Sequence, residues 1–398
     1  MKMRSLVVPA TLAGLCGSAT AAAVPTVIFS HHNTGDASAV IPGVENGDPG
    51  NPNYPVAYFQ QFERPSVSPD GSQWVVTGFS NLTYGGLTTD FDEFLITGAG
   101  PGRTGAAVLA AEGTDLNGAM PPGHAAGFFD TRIGINNAGQ YALVTNSPGD
   151  FASDEFLMTY DGSAFSVFAQ EGMAIPGIAG ENYGGDFKSV GITGNGTPYF
   201  NARSTEGGLD ASQDDFLFHG NTIIAQTGVT VPAGQAGGAT AAWENFDVDR
   251  FYMSDDGLHH LIQGDLVGFT ADDVVVIDGM VVAQEDTTVI DGVLVDDITE
   301  AAMMPNGDWF MRGHDNFNDW IMFNGAVVAK EGEAVPGGLA GEVYAGPFSS
   351  MSSDSQGNFV FIGDTNAALS EDGVLIYNGT EILLREGDYV DLDGDGLL

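Results

Sequence analysis

Asn136-Asn137-Ala138-Gly139-Gln140-Tyr141-Ala142-Leu143, then Asp154-Glu155-Phe156-Leu157-Met158-Thr159-Tyr160-Asp161-Gly162, then Ala169-Gln170-Glu171-Gly172, is the stretch that decides the fold. A polar turn closed by glycine leads into a short apolar run. An acidic pair heads a second run, and an Asp-Gly dipeptide of the kind that favours tight hairpins ends it. A third run finishes in Glu-Gly. Short apolar runs punctuated by turn dipeptides make antiparallel strands joined by hairpins.

The same order recurs along the chain. The glycine turn appears at Gly71, Gly139, Gly196, Gly257, Gly307 and Gly357, with spacings of 68, 57, 61, 50 and 50 residues. The heads of the next strand are Asp92-Glu93, Asp154-Glu155, Asp214-Asp215, Asp272-Asp273, Asn318-Asp319 and Glu371-Asp372. Hairpin dipeptides follow at Asp161-Gly162, Gly220-Asn221, Asp278-Gly279, Asn324-Gly325 and Asn378-Gly379. Glu-Gly endings stand at Glu112, Glu171, Glu331 and Glu386, and Ile175-Pro176-Gly177 and Val335-Pro336-Gly337 add proline stops. Self-similarity at this period signals a repeat architecture. Each unit holds four strands, A to D, so the expectation is an all-β chain forming a β-propeller of six four-stranded blades. A sandwich array or an open solenoid is the alternative architecture. Val27–Ser30 resembles an isolated D strand that would complete the last blade, yet Ile382-Leu383-Leu384 supplies that blade with one of its own; a seventh blade is the other count.

Composition narrows the function. The 398 residues carry 53 Asp+Glu against 11 Lys+Arg, a net charge of −42, with 43% hydrophobic and 10% aromatic residues. That hydrophobic content builds a core, so this is no acidic disordered tail. The charge excludes a general nucleic-acid binder and disfavours an anionic membrane surface. Residues 1–23 read as a secretory signal, with Lys2 and Arg4 before the apolar Leu6–Leu15 and small residues at Ala19-Thr20-Ala21. Secretion or display at the cell surface follows, and no apolar run is long enough for a transmembrane segment. The only cysteine, Cys16, lies in this signal, so thiol chemistry is absent after cleavage. Removing two bases and no acid leaves 9 − 53 = −44. Adaptation to salt and a calcium-loaded surface are the two explanations of such a charge. The remainder divides into an N-terminal strand and loop (24–61), the propeller repeats (62–390) and an acidic Asp/Gly tail (391–398).

The order Asn136-x-x-Gly139-x-x-Ala142-Leu143, Asp-Glu-Phe-Leu, Tyr160-Asp161-Gly162 and Ala169-Gln170-Glu171-Gly172 resembles the secreted bacterial choice-of-anchor tandem-repeat proteins with an NxxGxxAF motif, of planctomycete-like genomes. The likeness covers nearly all of the mature chain. It implies an exported, propeller-type protein of unknown function, with no catalytic residues to carry over. Members often end in an apolar sorting helix with basic residues, whereas this chain stops at Leu397-Leu398, which favours plain secretion.

In a four-stranded meander the B–C and D–A connections leave one end and the A–B and C–D turns the other. The longer connections are B–C and D–A, so a ligand face is expected there. It would carry the acids Asp92, Glu93, Asp154, Glu155, Asp214, Asp215, Asp272, Asp273 and Asp319, and the rare cations Arg203 and Arg312. Grouped carboxylates suit calcium or a cationic ligand; an acid repeated in every unit equally suits capping of loop amides. Asp391, Asp393 and Asp395, with Gly396, match the first half of a calcium loop but lack its closing acid. Adjacent His31-His32 and His259-His260 point to opposite faces of a strand and cannot share an ion. No nucleophile elbow, phosphate loop or dinucleotide fingerprint is present. The reading is a monomeric, non-catalytic binding or scaffold module with an extracellular or cell-envelope ligand. An extracellular propeller glycoside hydrolase or lyase is the rival, which buried carboxylates gathered in one place would favour.

Overall fold

A computed structural model describes residue 41 and residues 59–389 apart from 64, 81–92, 101–104, 130–131, 149–151, 206, 269–270 and 355. The described residues are all-β, six antiparallel meanders that are the blades of a β-propeller. Among the described residues the one helical piece is a 3-10 turn at Ala236–Gly238.

The first sheet contains β1 (Phe59–Phe62), β2 (Ser66–Val67), β3 (Gln73–Ser80), β4 (Glu93–Ala99) and β5 (Ala107–Ala111). Both β1 and β2 pair with β3, so they are two pieces of one broken A strand and the sheet has four positions. The second sheet is β6 (Gly134–Ile135), β7 (Tyr141–Asn146), β8 (Glu155–Tyr160) and β9 (Phe165–Gln170). The third is β10 (Lys188–Ile192), β11 (Pro198–Arg203), β12 (Asp215–His219) and β13 (Thr222–Gln226). The fourth is β14 (Trp243–Met253), β15 (His260–Leu266), β16 (Asp273–Ile277) and β17 (Met280–Gln284). A small hairpin, β18 (Val289–Ile290) with β19 (Val293–Leu294), precedes the fifth sheet. That sheet is β20 (Asp297–Met303), β21 (Trp309–His314), β22 (Asp319–Phe323) and β23 (Ala326–Lys330). The sixth is β24 (Tyr344–Ser353), β25 (Phe359–Thr365), β26 (Gly373–Tyr377) and β27 (Glu381–Arg385). Its fourth place is filled by β27, so the last sheet is complete without an N-terminal strand; Val27–Ser30 lies outside the described residues.

Local chemistry explains the recurrence. All six turn glycines between strands A and B take positive φ, from 70° at Gly71 and Gly139 to 87° at Gly307. Asp278-Gly279 and Asn324-Gly325 have positive φ at both positions, the hairpin geometry whose twist matches the flanking strands. Every C–D pair also slips by one residue at the same place. The extra residue of strand D is Leu109, Phe168, Ile224, Val282, Val328 or Leu383. A bulge bends the strand and raises its twist.

The chain divides into two compact units. One comprises Met1–Met173, Tyr183–Ile192 and Tyr389–Leu398; the other comprises Ala174–Asn182 and Thr193–Asp388. In the first, the faces of the first two sheets share a core in which Val75 and Leu95 join Leu143, Phe156 and Met158. In the second, one core joins Tyr199 and Leu217 to Trp243 and Phe251, and another joins Leu261 and Val275 to Met311 and Trp320. A third joins Phe310 and Ile321 to Phe348 and Phe361. Burying a side chain of this size stabilises by about 1.5–3 kcal/mol.

The A–B turns are also tied from sheet to sheet. Asp70 donates its N–H to Asn137 Oδ1 (2.9 Å) in the first unit. In the second, Gly194 donates to the Asp255 carbonyl (2.7 Å) and Asp255 to the Pro305 carbonyl (2.6 Å).

Candidate functional site

The expected ligand face is the end of each sheet where strand B finishes, strand C begins and strand D finishes. Its acids first serve the backbone. Glu93 is buried, and its Oε2 accepts the Phe129 N–H at 2.8 Å. Glu155 occupies the same place one sheet on, accepting the N–H groups of Asp186 (2.5 Å) and Phe187 (2.8 Å). Both therefore hold the chain as it enters the next sheet. Asp154 donates its N–H to Glu171 Oε2 (3.3 Å). Asp214 is buried, and its carbonyl accepts the Ser204 N–H (2.7 Å). Asp215 accepts from Asn201 Nδ2 (2.6 Å); burial nevertheless pushes its carboxyl up to about 6, against that bond and the nearby Arg203. Asp272 uses its carbonyl for the Leu266 N–H (3.0 Å). Asp319 donates its N–H to Glu331 Oε2 (3.3 Å), and burial together with Glu331 raises its carboxyl.

The two cations behave differently. Arg203 is exposed and sits cross-strand from Asp215. Arg312 is tied internally: Nε donates to Glu300 Oε2 (2.9 Å) and Nη1 to the Phe348 carbonyl (2.7 Å). Arg250 shares the same carboxylate at 3.4 Å. Asp92 and the tail acids Asp391, Asp393 and Asp395 lie outside the described residues.

Two recurring devices on this face were not read from the sequence. The residue just after strand D covers the start of strand C: Glu112 Oε2 accepts the Glu93 N–H, and Thr227 Oγ1 the Asp215 N–H. Among the Glu-Gly endings Glu171 and Glu331 do the same for the Asp154 and Asp319 amides. The last residue of strand D reaches the loop before strand C. Gln170, Gln226 and Gln284 donate Nε2 to the carbonyls of Ser153, Gln213 and Ala271. Lys330 fills this register in the fifth sheet, paired with Asp315, and Arg385 in the sixth, donating to the Glu371 carbonyl.

A second pair of carboxylates was also missed. Glu181 and Glu342 are buried in the D–A loops that carry the Ile175-Pro176-Gly177 and Val335-Pro336-Gly337 stops. Glu181 accepts from Ser204 Oγ, Gly207 N–H and Leu209 N–H. Glu342 accepts from Thr365 Oγ1, Leu339 N–H and both terminal nitrogens of Arg385. The Arg385 bond and these donors outweigh burial and hold Glu342 at about 2. The repeated Ala-Gly-Glu before the strand was the available signal.

The fourth sheet departs from the rest. Between Phe246 and Phe251 strand β14 leaves its register with β15, and residues 247–250 bulge out. Asp265 and Asp273 are direct cross-strand neighbours, and the charge of Asp265 is felt by Asp247 and that of Asp247 by Asp273. Asn245 Nδ2 donates to Asp265 Oδ2 (2.7 Å) and Gln263 Nε2 to Asp273 Oδ2 (3.3 Å). The buried Asp273 Oδ1 has no hydrogen-bond partner among the described residues. Burial, then Asp247 and Asp265, push the Asp273 carboxyl up to about 8. It therefore keeps its proton at neutral pH. Among the described residues no three His, Cys, Asp or Glu side chains are grouped to hold a metal ion.

No family model matches the chain, and no curated protein does. Among solved structures it is similar to prolyl oligopeptidase B of Galerina marginata, at 12% identity over 81% of this chain and 42% of that one, with a TM-score of 0.42. A puromycin-hydrolyzing peptidase of Mycobacterium tuberculosis matches at 13% identity over 82% of this chain and 53% of that one, with a TM-score of 0.40. An α-L-arabinanase of Penicillium chrysogenum matches at 10% identity over 76% and 88%, with a TM-score of 0.35. The chain thus spans about half, or less, of the two peptidases' length. Similarity at this level says nothing of substrate. Among the described residues no helix is long and apolar enough to cross a membrane.

Proposed function

We propose that the chain is an exported, non-catalytic binding or scaffold module that meets an extracellular or cell-envelope ligand on the long-loop face of its sheets. One observation carries this reading. The carboxylates of Glu93, Glu155, Glu181 and Glu342 are engaged by backbone amides and neighbouring side chains. Acids used in this way shape loops instead of converging on a reacting atom. The acidic surface suits work in salt, and any calcium association belongs to the Asp391, Asp393 and Asp395 tail.

The rival enzyme reading is favoured by one specific observation, the grouping of Asp247, Asp265 and Asp273. Carboxyls gathered at one place, one of them holding its proton, are what carbohydrate hydrolases use for acid catalysis. The test is turnover of a panel of soluble polysaccharides and chromogenic glycosides by the full chain and by Asp265→Asn and Asp273→Asn. The binding reading expects no turnover that the variants abolish. Hydrolysis lost in both variants, with melting no lower than the parent's, would replace it with the enzyme reading.

A further inference from the structure

The exposed apolar side chains of the second unit are unevenly placed. On its long-loop ends stand Val267 (49% exposed), Val289 (61%), Phe317 (87%), Leu339 (61%) and Leu369 (83%). Elsewhere in this unit Leu258 and Met280 are exposed at the short-turn ends, Val248 and Ile362 within strands, and Val229 and Val231 in the loop whose Ala233 pairs with Met280. Phe317 is at the tip of the B–C loop of the fifth sheet and Leu369 in that of the sixth. The loops that present them are held in place. Asn366 exchanges hydrogen bonds with Val343 (N–H to carbonyl, and Val343 N–H to Asn366 Oδ1, each 3.0 Å), fastening the Leu339 loop to the Leu369 loop. Lys330 pairs with Asp315 at the base of the Phe317 loop. Ordered loops with bare apolar tips mark an interaction surface.

Charge decides what can cover them. Residues 297–388 contain fifteen Asp+Glu and three Lys+Arg. All three cations are engaged internally: Arg312 with Glu300, Lys330 with Asp315 and Arg385 with Glu342. Exposed Glu333, Glu371 and Glu386 stand around the apolar tips without such cations to spare. A second copy of this chain would bring a like charge of −42 against it, and nucleic acids or anionic lipids are repelled for the same reason. Four of these five tips are Val or Leu, which offer a sugar neither a flat ring nor a polar group; Phe317 is the one aromatic among them. Resting on the binding-module reading above, we infer that the long-loop face of the second unit docks a basic polypeptide segment whose apolar side chains cover Phe317, Leu339 and Leu369. Its Lys and Arg side chains would meet Glu333, Glu371 and Glu386 at the rim. Charge sets the encounter rate and the apolar contacts set the residence time.

The test uses three fluorescent peptides of equal length, alternating Lys/Leu, Lys/Ser and Glu/Leu, titrated against the full chain by anisotropy in physiological salt. The expected result is Lys/Leu binding at least about tenfold tighter than Lys/Ser, from burial of the tips, and no Glu/Leu binding. Phe317→Ser with Leu369→Ser should erase the Lys/Leu advantage while the melting temperature holds. Because both side chains are already in water, this double variant is not expected to unfold the protein. Equal affinity for the two basic peptides, an unchanged affinity of the double variant, or no binding of Lys/Leu would each overturn the inference. None of these results touches the turnover assay, so the broader reading stands or falls separately.

Discussion

Replacing Asp273 by asparagine should make the protein more stable in mild alkali and leave it almost unchanged in acid. Asp273 faces Asp265 across the strand pair, lies under the influence of Asp247 and Glu285, and has one buried oxygen without a partner among the described residues. Its carboxyl titrates at about 8 in the folded protein against an ordinary 3.8. Below 3.8 the group is neutral in both states and contributes nothing to the pH dependence. Between 3.8 and about 8 the unfolded chain has lost a proton that the folded chain keeps, so stability falls as pH rises. Taken at face value that gap is worth roughly 6 kcal/mol, and relaxation of the bulge will reduce it to about 2–3 kcal/mol. Asparagine is the isostere of the protonated acid and removes the penalty. Urea unfolding of both proteins, followed by tryptophan fluorescence at about pH 4 and about pH 8, measures it. Parallel curves, with the same difference at both pH values, would refute the claim that Asp273 holds its proton.

Glu342 has the opposite sign: its carboxyl is depressed from 4.5 to about 2, so it contributes about 3 kcal/mol above pH 4.5 that disappears as pH falls toward 2. Glu342→Gln should be destabilised near neutrality and converge on the parent in acid, as read by the same unfolding curves. Gly279 has φ +79° and open space around its would-be Cβ; Gly279→Ala should cost about 1 kcal/mol from backbone strain alone, checked by the urea midpoint. Phe216 is fully buried with its ring 5.9 Å from that of Phe218. Phe216→Ala should cost about 3–5 kcal/mol in the same assay. A thermal melt in chelator, then in millimolar calcium, beside sodium chloride of matched ionic strength, should show a calcium-specific rise if the Asp391, Asp393 and Asp395 tail binds the ion. A rise with salt alone would assign the acidity to screening.

The strand order was legible because its turns use residues with few alternatives. Gly139 and Asn324-Gly325 state the backbone geometry outright, and the apolar runs between them are too short for helices. The broken first strand of the first sheet was not legible, because β1 and β2 together look like one irregular loop around Pro65. The bulge at residues 247–250 was not legible either, because Asp247, Asp249 and Arg250 carry no glycine or turn dipeptide to mark a break in the strand. For the site, the acidic heads were found but their partners were not. A carboxylate such as Glu155 meets Phe187, 32 residues away, and no spacing rule announces such a contact. Glu181 and Glu342 were not legible because an acid after a proline turn reads as a solvated loop residue, and their partners Ser204 and Arg385 lie 23 and 43 residues away.

The bulge shared by all six C–D pairs turns each hairpin into a ruler. Because side chains alternate along a strand, one extra residue in strand D decides which of its neighbours face the core. It also sets the distance from the hairpin glycine to the residue that covers strand C, such as Glu112 or Glu331. Deleting Val328 would keep the Trp320–Lys330 and Met322–Val327 pairings and remove the bend that aims Lys330 at Asp315 and Glu331 at the Asp319 amide. Insertions in the B–C loops carry no such consequence, since lengthening a surface loop costs little. Length variation among related chains should therefore gather between strands B and C, with the interval from hairpin turn to Glu-Gly held constant.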